Sequence, residues 1–248
     1  MHGAVDVARE SADIVLLSPD LDMLRRGLEE GRRTFANTLK YIYITTSANF
    51  GNMVSMALAT PLLPFLPLTA TQVLLNNLLS DMPSMAISTD RVDAEAIERV
   101  PRWDMSDVRR FMIVFGLVSS LFDMLAFALL RLVFDADAVL FHSAWFVMSL
   151  LTELAVLLTL RSRGAAWRSA LTRLLAGLTA VVAVLAWVLP QLPWSAALFG
   201  FVGLPPVLWA TLLGLVLAYA ATTELTKRWF FRRPATSRHP RVQHRLSG

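Results

Sequence analysis

Residues 111–134, FMIVFGLVSSLFDMLAFALLRLVF, decide the fold. A membrane-spanning helix needs about 20 predominantly apolar residues. This run exceeds that length and holds one acid, Asp123, at its middle and one base, Arg131, near its end. The stem of Arg131 is long enough to snorkel to the headgroups. Five more apolar runs flank it: Tyr41 to Thr60, Leu68 to Ser88, Trp145 to Leu160, Leu171 to Leu189 and Val207 to Thr223. The fourth and sixth spans in chain order are short and are expected to extend by a turn. The 248 residues are 55% hydrophobic and 17% charged, where a soluble domain is nearer 25% charged. The expected fold is all-α and polytopic, a six-helix transmembrane bundle in a lipid bilayer.

The net charge of +4 would suit nucleic acid if the bases were pooled, but they are not. They cluster in Arg9 to Lys40, Arg91 to Arg110, Arg161 to Arg173 and Lys227 to Arg245, while the connections Pro61 to Pro67, Asp135 to Ser143 and Pro190 to Pro206 hold no Lys or Arg. By the positive-inside rule this alternation puts both termini in the cytoplasm and excludes a nucleic-acid partner. Cysteine is absent, which removes disulfides, thiolate metal sites and thiol nucleophiles. The first forty residues lack a short apolar core with a small-residue cleavage site, so no secretory signal is expected there.

Ahead of the first span, Ala12 to Leu17 suits a buried strand. Ser18 and Pro19 then suit an N-cap and first helical position, followed by Leu21, Leu24 and Leu28 at helical spacing. One strand and one helix cannot bury a core, so this is expected to be the edge of a larger domain. In the loop Thr89 to Arg110, Trp103 suits an interfacial anchor, and Asp104 and Asp107 suit the cap and first turn of the next helix. Residues 224–248 form a basic cytoplasmic tail, drawn to anionic lipid.

The candidate site centres on Asp81. A carboxylate at the centre of a membrane helix costs about 2.5 to 3.5 kcal/mol on insertion scales, so it usually faces a partner, a cavity or an ion. Positions i, i+3 and i+4 share a helix face, which gathers Asn77, Ser80 and Asp81, and likewise Asn49 and Asn52 on the preceding helix. Pro83 cannot donate to the Leu79 carbonyl and leaves that oxygen for an ion or water. Asn, Ser and Gly also pack membrane helices, with Gly51 allowing close approach. An all-oxygen set with one carboxylate and several amides points to a hard cation and fits Mg²⁺, while the chemistry alone leaves Na⁺, K⁺, Ca²⁺ and H⁺ open. Glu153 and Asp123 are intramembrane acids that could complete the site, or be satisfied by a neighbouring Ser, Thr or carbonyl. The sequence carries no phosphate-binding glycine loop, no His-x-x-x-His pair and no convincing Ser-His-Asp set.

Residues 29–37, EEGRRTFAN, running through 39–42, LKYI, into 47–52, SANFGN, resemble the cation-transporting P-type ATPases. The likeness begins at residues 8–17, ARESADIVLL, which is similar to the last strand of that family's phosphorylation domain. It continues through residues 76–81, NNLLSD, then Arg102-Trp103, Phe111-Met112, residues 119–123, SSLFD, and Trp145-Phe146-Val147, pieces most similar to the magnesium-transporting branch.

The resemblance implies that residues 1–40 end the phosphorylation domain and form a stalk helix, and that the six spans are helices five to ten of a ten-helix pump. The bacterial inner membrane is the expected location. It also implies a ligand set of Asn49, Asn52, Asn77, Ser80, Asp81 and Glu153, with Mg²⁺ as the transported ion. Asn52 stands where the calcium pumps carry a carboxylate, which lowers the charge in the direction of the magnesium branch. The family's phosphorylated Asp-Lys-Thr-Gly-Thr motif and nucleotide domain would precede Met1. No ATP site and no ATP hydrolysis are therefore expected of this chain alone, and a separate chain with the N-terminal half is an expected partner. Two other readings stay open: a non-enzymatic membrane partner or regulator of an intact pump, and the inactive remnant of a truncated gene.

Overall fold

A computed structural model describes residues 10–12, 15, 21–92, 104–162, 164–166 and 169–232. Among the described residues seven α-helices are delimited: α1 (Leu21–Ala59), α2 (Ala70–Met85), α3 (Met105–Leu132), α4 (Ala138–Leu160), α5 (Arg173–Val188), α6 (Pro193–Phe199) and α7 (Pro206–Arg232). A 3₁₀ turn, Ala86–Thr89, continues α2, and another, Leu189–Gln191, continues α5. No strand occurs among the described residues. Of the expected strand Ala12 to Leu17, Ala12 and Val15 are described and neither is extended into a ladder, while the rest, with Ser18 and Pro19, lies outside the described residues. Pro101, Trp103 and the tail beyond Arg232 lie outside them too.

Each of the six apolar runs falls on a helix, with shifted ends. Among the described residues four helical stretches are long and apolar enough to cross a membrane: α3, α4, Arg173–Gln191 and α7. The first two runs fall short of that measure because the uncharged end of α1 is diluted by Asn49, Asn52 and several Ser and Thr, and α2 is only 16 residues long. The chain is thus an all-helical integral membrane protein. Helix α3 begins at Met105 rather than at Phe111 because Asp104 caps it, its carboxylate accepting from the Ser106 N–H at 2.8 Å. Helix α4 starts seven residues before Trp145 for the same reason: Asp137 accepts from the Leu140 N–H at 2.8 Å. Unsatisfied N–H groups in a first turn make such caps worth about 1 kcal/mol. Arg131, in the last turn of α3, donates to the Ala136 carbonyl at 2.8 Å, and Asp135 beyond it adopts a left-handed φ of 44° that closes the helix end.

Helix α4 is the axis of the fold. It is apolar over most of its surface, as a largely enclosed helix must be, and Phe141, Ala144, Phe146, Val147, Met148 and Leu150 are completely buried. Helices α2, α3, α5 and α7 pack round it, and α7 covers it along much of its length. Outward-facing Leu121, Val184, Trp187 and Leu217 are exposed, an apolar rim suited to lipid.

Helices α1 and α3 make the most extensive pairing, and Gly51 is the reason they approach so closely. A Cβ at Gly51 would lie 2.9 Å from the Ser119 Cβ, and one at Gly116 would lie 2.5 Å from the Phe50 ring. The contact also carries a hydrogen bond, from the Ser120 hydroxyl to the Gly51 carbonyl at 2.9 Å. Small residues that bring backbones together, with a hydroxyl across the gap, are the usual means of joining helices in lipid.

Helix α7 runs nine residues past the expected end of the sixth span at Thr223. Lys227 explains the extension. Its ammonium is fully buried, donates to the Thr159 and Gly164 carbonyls at 2.8 Å each, and pairs with Glu224 at 2.7 Å. The start of the expected tail is therefore packed helix, pinned to the end of α4.

Candidate cation site

Glu153 of α4 is where three helices meet. Its Oε1 accepts from the Asn52 Nδ2 of α1 at 2.6 Å and from the Asn76 Nδ2 of α2 at 3.3 Å. Asn76 also donates to the Ser149 hydroxyl at 3.4 Å. The second carboxylate oxygen, Oε2, is buried and has no hydrogen-bond partner among the described residues, as is the Asn76 Oδ1. Buried acceptors of this kind are costly unless something donates to them or coordinates to them.

Beside Glu153 lies a small cavity of about 20 Å³, lined by Asn49, Ser80, Asp81, Ser84 and Glu153 with Ala48 and Leu154. That is room for one water or one partly dehydrated small cation. The structure brings Asn49, Ser80, Asp81 and Glu153 round this space, and Asn52 joins through its bond to Glu153. Asn77 stands apart, exposed on the outer face of α2 and not in the cavity wall. Asn49 and Asp81 are also exposed on one side, so the cavity is open where α1 and α2 present their polar groups outward. Among the described residues no three of His, Cys, Asp and Glu converge, so the site is rich in amides and hydroxyls and contains two carboxylates.

Local geometry explains the placement. Gln72, Asn76, Leu79 and Pro83 form the buried face of α2, at the three- and four-residue steps of a helix. Gln72 closes a capping box with Thr69 and donates to the Phe199 carbonyl at 2.8 Å, fixing the rotation of α2 about its axis. Helix α2 passes through Pro83 as far as Met85, and the Ser84 hydroxyl donates to the Ser80 carbonyl at 2.9 Å. The Ser80 hydroxyl is directed to the Asn77 carbonyl at 3.2 Å.

Asp123 is occupied elsewhere. It is 2% exposed, accepts from the Ser55 hydroxyl at 2.6 Å and from the Trp145 indole at 3.2 Å, and lies outside the cavity wall. Two further polar groupings give no signal in the sequence, the partners of Asn76 and the buried pair Asp90 and Arg161 at 3.2 Å. Asn76 sits in the same polar cluster as Asn77, and only the rotation of α2 separates them. Asp90 and Arg161 lie 71 residues apart in loops that read as solvated charge.

The family described as cation transporting ATPase, C-terminus, matches residues 65–229. A magnesium-transporting ATPase, P-type 1, of Escherichia coli strain K12 is 42% identical over 238 residues, covering 94% of this chain and 26% of that protein. A protein of the same description from Salmonella typhimurium strain 14028s is 41% identical over 244 residues, with the same coverage of each. A calcium-transporting ATPase of Bacillus subtilis strain 168 is 33% identical over 98 residues, 39% of this chain and 11% of that protein. The chain spans about a quarter of the length of the magnesium-transporting relatives it matches. With a family match over residues 65–229 and 42% identity along 94% of its length, the chain belongs to the cation-transporting P-type ATPases, as their C-terminal region.

Proposed function

We propose that this chain forms the cation-translocating region of a magnesium-translocating P-type ATPase, with Mg²⁺ as its cargo. The observation that carries the proposal is the junction at Glu153. Glu153 of α4, held by the Asn52 and Asn76 amides of α1 and α2, lines a cavity the size of one water together with Asn49, Ser80 and Asp81. Mg²⁺ asks for few protein oxygens because it keeps several of its waters, which the open side of the cavity at Asn49 and Asp81 leaves room for, so two carboxylates with amide support suit it. Asp81, Asn49, Asn52, Ser80 and Glu153 are the proposed ligands. Asn77 is exposed beside Asp81 and Asn49, on a side that a further helix of the complete pump would cover.

Six spans fit the lengths of the helices, and the alternation of basic segments favours both termini in the cytoplasm. Helix α1, with 39 residues, extends about 58 Å, nearly twice the roughly 30 Å hydrocarbon layer. It therefore serves as both stalk and span. Helix α2 and its 3₁₀ continuation together rise about 32 Å, enough to cross. Residues 1–40 then close the phosphorylation domain and stalk, 41–223 are the membrane part, and 224–248 return to the cytoplasm of a bacterial inner membrane. Energy comes from phosphorylating and nucleotide-binding domains of the remaining pump, a separate chain being one arrangement, and ATP-driven flux is not expected from this region alone.

The test is growth of a strain that depends on added Mg²⁺. The complete pump carrying this region is expected to restore growth, and Asp81→Asn is expected to abolish the rescue at unchanged protein level. Rescue that survives Asp81→Asn would falsify the site.

A further inference from the structure

The three helices that bring ligands to the proposed site are also tied together at their cytoplasmic ends, in one buried polar knot. Asp90 follows the turn that continues α2, and Arg161 is the C-cap of α4. The two form an ion pair at 3.2 Å, with Asp90 wholly buried and the Arg161 side chain 2% exposed. Helix α1 enters through Lys40, 3.7 Å from the Asp90 carboxylate and donating to the Arg91 carbonyl at 2.7 Å. It enters again through Asn37, which donates to the Asp90 and Ser88 carbonyls at 2.9 and 3.1 Å. Arg161 also donates to the Ser169 and Ala170 carbonyls of the loop before α5, while its Nε is buried without a partner among the described residues.

Arg161 lies between two and three helical turns from Glu153 along α4, and Lys40 the same from Asn49 along α1, while Asp90 lies nine residues after Asp81, past the end of α2 and its 3₁₀ turn. Helices are stiff over that distance, so the spacing of α1 and α4 fixed at the knot sets the spacing of their ligands, and Asp90 holds the end of α2 against them. Buried charges persist only when paired, and loss of one partner leaves the other without compensation. The knot therefore acts as a spacer.

We infer that Asp90 and Arg161 are positioning residues for the cation site, holding the Asp81 and Glu153 helices at the spacing that binds the ion. The inference rests on the proposed function above. Groups that orient metal ligands without touching the metal typically change affinity by about 10- to 100-fold when removed.

The experiment measures uptake of Mg²⁺ into cells by the complete pump as external Mg²⁺ is varied, with membrane-embedded protein quantified by immunoblot. For Asp90→Asn and Arg161→Gln the half-saturating Mg²⁺ concentration is expected to rise about tenfold, out of proportion to any fall in maximal rate per pump. A purely structural pair would lower the amount of protein or the maximal rate and leave half-saturation unchanged, and that result overturns the inference. Should either variant be missing from the membrane, Asp90→Glu and Arg161→Lys take its place. They keep the charges, alter the spacing, and are expected to shift half-saturation in the same direction; no shift again overturns it. Asp81→Asn separates the two levels. If uptake is indifferent to Asp81→Asn, the site itself fails and the inference with it. If Asp81→Asn abolishes uptake while the Asp90 and Arg161 variants keep native half-saturation, the site stands and the spacer alone is rejected.

Discussion

Asn76 and Asn77 are adjacent in sequence and about 100° apart round α2, and that angle separates their fates. Asn76 is 3% exposed and bonded to Glu153 and Ser149, while Asn77 faces outward. Asn76→Leu removes a donor from two buried groups and is expected to destabilise the protein by about 1–3 kcal/mol. Asn77→Leu is expected to change stability by less than about 0.5 kcal/mol, as exposed positions do. Thermal unfolding in detergent compares them, and equal effects would contradict the orientation of α2. Asp123→Ala strips partners from Ser55 and Trp145 and is expected to lower the unfolding temperature by a similar energy, about 1–3 kcal/mol. In the sequence Asp123, between Phe122 and Met124, reads as an intramembrane acid that could complete the site or be satisfied by a neighbour. Its hydrogen-bond partners come from α1 and α4, 68 and 22 residues away, so no local pattern could show that it was already satisfied.

At the scale of elements, the joint between α1 and α3 depends on space as much as on attraction. Gly116→Leu would drive a side chain into Phe50 and the Ser47 carbonyl. Over-packing of this kind costs about 1–3 kcal/mol, expected here as a lower unfolding temperature, and native stability in that variant would show that the helices are not in close contact. Asp104→Ala tests a helix end: loss of the cap is expected to cost about 1 kcal/mol, measured the same way. The Asp104 cap was legible in sequence because it acts on a backbone group two residues away, whereas the Asp137 cap, which starts α4 before Trp145, emerged only with the structure. The length of α7 was not legible either. Lys227 reads as the start of a solvated basic tail until the carbonyls ending α4 are seen to receive its ammonium.

At the scale of the molecule, the decisive measurement is sidedness. The sequence has no cysteine, so single substitutions report cleanly. Leu62→Cys, between α1 and α2, is expected to react in intact cells with a membrane-impermeant maleimide, and Arg91→Cys, beyond α2, only after permeabilisation. Labelling of both from the same side would mean that α2 does not cross and would reduce the spans below six.

The sequence by itself determined that the chain is a helical membrane protein of the cation pump class, which residues are polar at membrane depth, and where several helices begin. These properties depend on composition, hydropathy and short-range hydrogen bonding, all written in neighbouring residues. Only the tertiary structure decided which polar groups face one another. Glu153 meets Asn52 across 101 residues and Asn76 across 77, Asp123 is withdrawn to Ser55 and Trp145, and Asp90 is clamped to Arg161. In a low-dielectric interior every such group must find a partner. Which partner it finds is set by the rotation and crossing of whole helices, fixed by distant contacts such as Gly51 on Ser119 and Gln72 on Phe199.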